Sequence, residues 1–145
     1  MFHKKNRLLN TKILPKKIEI IATEICDLFT VQLRSDGIIH THVSSQQDFT
    51  IESLKKFNVL IGQMLNYKKA PLLVTGEQFA FPTLETRQFW AKEKSCVYSA
   101  AEAFVATNFG HKLIGNFYLK INKPQRPTNV FSNEIEALKW LKLFL

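Results

Sequence analysis

Few side chains in this chain have the types and spacing that chemistry needs. His40 and His42 alternate along one stretch, so both imidazoles fall on the same side of a strand. Two nitrogens at that spacing can clasp a metal only if a third and a fourth ligand join them, and neither His3 nor His111 is placed by any motif. The pair therefore reads as a polar strand face. Glu77 and Glu85 carry the groups of an acid/base pair, but nothing nearby in the sequence fixes their separation or raises a pKa. Cys26 and Cys96 belong to no CxxC or metal-ligand spacing and read as buried thiols of a reducing compartment. The glycine-rich phosphate loops, the nucleophile elbow GxSxG and the zinc motif HExxH are missing. The expectation is a protein without catalytic residues, metal ligands or a cofactor.

The elements that would position a binding site are easier to read. Ile25 to Arg34 suits a strand, Ser35-Asp36-Gly37 a turn, and Ile38 to Val43 the returning strand of an N-terminal β-hairpin. Thr50 caps an amphipathic helix whose stripe is Leu54, Phe57, Ile61 and Leu65, with Phe49 and Leu54 at the spacing of a hydrophobic staple. Leu72 to Thr75 is a short buried strand closed by Gly76. Pro82-Thr83 opens a second helix, expected to reach about Lys94, and Ala101 to Ala106 is another interior strand.

A third helix, from about Asn108 to Lys120, is the unusual one. Phe109, Leu113, Ile114, Phe117, Tyr118 and Ile121 spread over roughly half of its circumference, wider than a core stripe requires. Lys112 and Lys120 lie at the edge of that arc. Such an arc is either buried on several sides or forms a surface for an apolar ligand or a bilayer, with the lysines reaching for headgroups. Thr128 to Phe131 is a last strand. Ser132 or Asn133 caps a final helix, with Ile135, Leu138, Leu141 and Leu145 facing inward and Trp140 and Leu143 off that stripe.

Strands alternating with helices over short connections imply one α/β domain, a mainly parallel sheet with about four helices. The length of 145 residues and the 46% apolar composition support a single core. The net charge of +8 is unevenly placed: residues 1–17 hold six of the 20 basic side chains and no acid, while 18–145 carry 14 against 12. Residues 1–17 thus read as a basic, flexible arm ahead of a near-neutral domain spanning 18–145, and nucleic-acid binding is not expected of the domain. With no secretory signal and no apolar run of about 20 residues, a cytoplasmic protein is expected.

The C-terminal third reads Gly115-Asn-Phe-Tyr-Leu-Lys-Ile-Asn-Lys-Pro124, then Pro127-Thr128, Val130-Phe131 and Glu134 through Leu141. With the element order, and with Thr83, Glu85 and Arg87 at the second helix, it resembles the STAS domain. It is similar above all to small, uncharacterised bacterial SpoIIAA-like proteins, a fold related to the CRAL-TRIO lipid-binding one. The resemblance covers about residues 25–145 and implies a non-enzymatic binding or regulatory domain. It implies an apolar ligand or membrane surface at the third helix, or a regulatory protein partner near Thr83 and Arg87 in the manner of anti-sigma-factor antagonists. Phosphorylatable members of that group carry Asp-Ser where this chain has Pro82-Thr83. Thr83 is thus read either as a phosphate acceptor or as a helix cap. The sequence does not decide between a monomer and a homodimer.

Overall fold

A computed structural model describes residues 16–145, which form one six-stranded sheet in the order β1-β2-β3-β4-β5-β6. The strands are β1 (Ile20–Cys26), β2 (Phe29–Arg34), β3 (Ile39–Val43), β4 (Ala70–Gly76), β5 (Ser99–Val105) and β6 (Thr128–Phe131). The helices are α1 (Ile51–Met64), α2 (Leu84–Trp90), α3 (Phe109–Phe117) and α4 (Glu134–Leu141). Pairs β1–β2 and β2–β3 are antiparallel, and β3 through β6 run parallel. The expected α/β architecture, with a mainly parallel sheet and an N-terminal hairpin, is present. Of the basic arm, residues 1–15 lie outside the described residues; Lys16 and Lys17 are exposed.

The hairpin forms where Gly37 takes φ +88°, a conformation that side chains rarely adopt. The Arg34 N–H donates to the Ile38 carbonyl and the Gly37 N–H to the Arg34 carbonyl, each at 3.0 Å, and the Asp36 carboxylate accepts from the Ile38 N–H at 3.2 Å and from Arg34 Nη2 at 2.7 Å. One strand was not expected. The stretch from Ile25 to Arg34 is two strands, because the chain reverses at Asp27-Leu28 with Asp27 at φ +50°. Asp tolerates that region, and Leu28, almost wholly buried, anchors the turn. The edge strand β1 lies largely in solvent, and Cys26 within it is only partly buried, against expectation.

The parallel strands follow from crossovers α1, α2 and α3, all on one face of the sheet. Leu54, Phe57 and Ile61 of α1 pack there with Phe29, Val31, Ile39, Leu72 and Val74. The other face is covered by α4. Its inward stripe is Ala137 and Leu141, packed with Ile38, Leu73, Ala101 and Ala103, while Trp140 and Leu138 lie partly buried beside them. Ile135 and Leu145, expected inward, are exposed, as is Leu143. The alanines explain the difference: Ala101 and Ala103 offer a shallow surface that Ala137 approaches closely, so the helix docks on its small residue. Asn133 is the cap, accepting from the Glu136 N–H at 2.9 Å.

Helix α2 ends at Trp90, short of the expected Lys94. The carbonyls of Trp90 and, just beyond the helix, Lys92 are taken by side chains. Ser95 Oγ and Arg126 Nη1 both donate to the Trp90 carbonyl at 2.8 Å, and Arg126 Nη2 donates to that of Lys92 at 2.8 Å. Satisfied this way, the chain leaves the helix through a 3₁₀ turn at Glu93–Ser95.

Candidate functional site

Helix α3 begins at Asn108, whose Oδ1 accepts from the His111 N–H at 2.8 Å. It continues beyond Phe117 into one wider turn, Tyr118–Asn122, closed by the Lys123 N–H donating five residues back to the Tyr118 carbonyl at 3.1 Å. Lys123 then takes φ +49°, and Pro124 prevents further helix. Gly115 sets how close this helix comes to the sheet: a Cβ there would lie 3.0 and 3.2 Å from the methyls of Val130 on β6.

The wide apolar arc splits into two functions. Phe109, Leu113, Phe117 and Ile121, four residues apart, are 80%, 59%, 41% and 62% exposed, so this row faces solvent and is not core. Lys112 and Lys120, exposed beside it, flank the row, and Lys123 follows at the helix end. Between Glu102 and Glu134 the chain contains no Asp or Glu. The other part of the arc, Ile114 and Tyr118, turns inward.

Ile114 and Tyr118 line a cleft of about 90 Å³ between α3, α2 and the carboxyl ends of β3, β4 and β5. That end of a parallel sheet is where crevices open, because successive strands deliver their loops there. Val43, Val74 and Phe104 come from the strands, and Trp90 from α2. Phe81 closes the rim, its ring 4.9 Å from that of His111. Trp90, Phe104 and Tyr118 form a chain of edge-on rings at 5.5 and 5.7 Å. Burial pushes the His111 imidazole down from its ordinary value, so it meets the cleft uncharged at neutral pH. Burial pushes the Tyr118 phenol up, and its hydroxyl remains a donor; it is shielded from solvent, with no partner among the described residues.

Arg87, on α2, is the charged side chain that borders the cleft. Its Nη1 donates to the Pro82 carbonyl at 2.7 Å, and its guanidinium carbon lies 5.6 Å from the centre of the Phe117 ring. It makes no ion pair within the described residues. Its Nε is shielded and has no partner among the described residues. Thr83 does not enter the cleft. Its hydroxyl accepts from the Thr86 N–H at 3.2 Å and bonds Thr86 Oγ1 at 2.9 Å, the geometry of a helix cap. The structure thus joins Arg87 to α3 and leaves Thr83 in a structural post.

Behind the cleft lies a pair that no motif announced. Glu102 on β5 meets Arg126 at 3.0 Å, and Trp90 Nε1 donates to the other Glu102 oxygen. Burial pushes the Glu102 carboxyl up, against Arg126 and the Trp90 N–H, which favour the carboxylate. Arg126 is committed to this carboxylate and to the end of α2. His40 Nε2 and His42 Nδ1 share Thr75 Oγ1 at 2.9 and 2.8 Å, which is the polar strand face expected. Among the described residues, no group of three or more His, Cys, Asp or Glu side chains is arranged to hold a metal, and no helix is long and apolar enough to cross a membrane.

A family model described as a domain of unknown function, DUF7793, matches residues 31–145. The chain belongs to the DUF7793 family. Every cleft residue named above falls within the DUF7793 match, whereas β1 precedes it. No curated protein matches the chain. Among solved structures, it is similar to an uncharacterized protein of the DUF3478 family with a SpoIIAA-like fold, from Shewanella loihica PV-4. The identity is 12%, over 91% of this chain and 99% of the other, with a TM-score of 0.42.

Proposed function

We propose that this DUF7793 domain is a non-enzymatic binding module that docks on an anionic bilayer surface through α3. The observation that carries the reading is the solvent-facing row Phe109, Leu113, Phe117 and Ile121, set in a stretch whose charges are all basic. An interfacial helix needs this combination: apolar side chains that enter the headgroup boundary to about 5–10 Å, with cations beside them. Lysines near an anionic surface contribute about 1 kcal/mol each, and full burial of an apolar side chain about 1.5–3 kcal/mol. With four partly inserted side chains and Lys112, Lys120 and Lys123, attachment is reversible and sensitive to salt. The resemblance of residues 115–141 to SpoIIAA-like proteins also favours binding over catalysis. The alternative, a regulatory protein contact at Thr83 and Arg87, has less support: the Thr83 hydroxyl is occupied as a cap, and Arg87 is turned to the cleft.

Vesicle co-sedimentation tests this reading. The full chain sediments with phosphatidylglycerol-containing vesicles, sediments less as salt rises, and loses most of that binding in Leu113→Glu. Binding carried by the basic residues 1–17 alone would survive Leu113→Glu, and that result would contradict the proposal.

A further inference from the structure

The cleft beneath α3 poses a separate question from the outer face of that helix. Its walls are apolar, and no Asp or Glu borders it. Arg87 places a positive charge at those walls, and burial pushes its guanidinium down from the ordinary value with no carboxylate to oppose the shift. The Phe117 ring and the Pro82 carbonyl offset part of that cost, but neither carries a negative charge. The Tyr118 ring borders the same cleft, but its hydroxyl is shielded and lies towards Glu102, Arg126 and Cys96, so Arg87 is the charged group that a molecule in the cleft would meet.

We propose that the cleft is a binding site for a small apolar carboxylic acid, whose carboxylate meets Arg87 and whose hydrocarbon part lies against Trp90, Phe104 and Ile114. Charge selects the class: a cation without an acid beside it favours an anion, and the apolar walls favour an anion with a hydrocarbon body. Size narrows it further. A dry cavity of about 150 Å³ holds a benzene ring. The 90 Å³ here, open on one side, suits a short acyl chain or a single ring with its edge at the mouth. The site does not depend on the membrane reading, since it faces the sheet and its test uses no lipid.

Benzoate and hexanoate, with benzamide and hexanol as uncharged counterparts, are the probes, titrated into the full chain and followed by amide chemical shifts. The acids are expected to bind at least tenfold more tightly than their uncharged counterparts, with shifts concentrated on residues 74–90 and 104–118. Arg87→Gln removes that preference while leaving the weak binding of benzamide in place. Equal binding of benzoate and benzamide by the native chain would overturn the proposal without any variant. So would an absence of saturable shifts up to 10 mM acid, or an acid preference retained in a folded Arg87→Gln protein.

Discussion

Arg126 Nη1 lies 3.0 Å from Glu102 Oε2, and the two side chains are 4% and 0% exposed. The same guanidinium donates to the carbonyls of Trp90 and Lys92 and to Ser95 Oγ, so one side chain joins β5 to the end of α2 beneath the cleft. Removing one partner of a buried pair leaves the other charge uncompensated, at a cost of about 3–5 kcal/mol. Arg126→Met should therefore destabilise the domain by about that amount in urea unfolding. Glu102→Leu added to Arg126→Met should recover part of the loss. If the double variant is no more stable than Arg126→Met, the uncompensated carboxylate is not the source of the cost.

Asp36 supplies a pH dependence. Burial by itself would push its carboxyl up, but the Arg34 guanidinium and the Ile38 N–H outweigh burial and hold it below the usual carboxylate value. A carboxyl with a lower pKa in the folded state contributes stability above its unfolded pKa, near 3.9, and loses it as pH falls through the folded value. Asp36→Asn should therefore cost about 1 kcal/mol at pH 7. It should also flatten the fall in stability below about pH 4. Urea midpoints from pH 7 down to pH 3 check both, and a constant difference across that range would count against the ion pair.

The Thr83 hydroxyl caps α2 by accepting the Thr86 N–H at 3.2 Å. Thr83→Ala should lower stability by about 1 kcal/mol, and Thr83→Asp should nearly preserve it, because Asp accepts the same N–H. Thermal unfolding of the two variants decides. Equal losses in Ala and Asp would show that the hydrogen bond to Thr86 is not what matters.

Gly115 is argued to permit the approach of α3 to β6. Glycine within a helix costs about 0.5–1 kcal/mol relative to alanine, a gain that the Val130 methyls at 3.0 and 3.2 Å oppose. Gly115→Ala should thus be about 1 kcal/mol more favourable in a Val130→Ala background than in the native chain. An additive double-mutant cycle would remove the contact from the account.

The parts of this fold that are local in sequence were legible there. Thr50, Thr83 and Asn133 announce helix starts by their side-chain oxygens, Gly37 a turn by its freedom of φ, and α3 its abundance of apolar side chains. The reversal at Asp27-Leu28 lacks a glycine, so the last two residues of β1 and all of β2 read as one strand, Ile25 to Arg34. Helix α4 has only eight residues, too few for its periodicity to choose between a stripe through Ile135 and one through Ala137. The cleft draws its walls from residues 43 to 118, and Glu102 and Arg126 meet only because β5 and the segment before β6 lie side by side. Sequence could show that the arc of α3 was too wide for a core stripe. It could not show which part would stay in solvent, because that depends on Gly115 resting against Val130.

Depth-dependent quenching shows whether the outer row of α3 enters a bilayer interface. A tryptophan introduced by Leu113→Trp replaces the side chain at the middle of the row. With anionic vesicles containing lipids brominated high on the acyl chain, its emission, taken as the difference from the native chain with Trp90 and Trp140, should shift to the blue and be strongly quenched. A Trp introduced at Val59, exposed on α1, should show neither change. Vesicle-bound protein whose Leu113→Trp emission stays unshifted and unquenched would contradict the account.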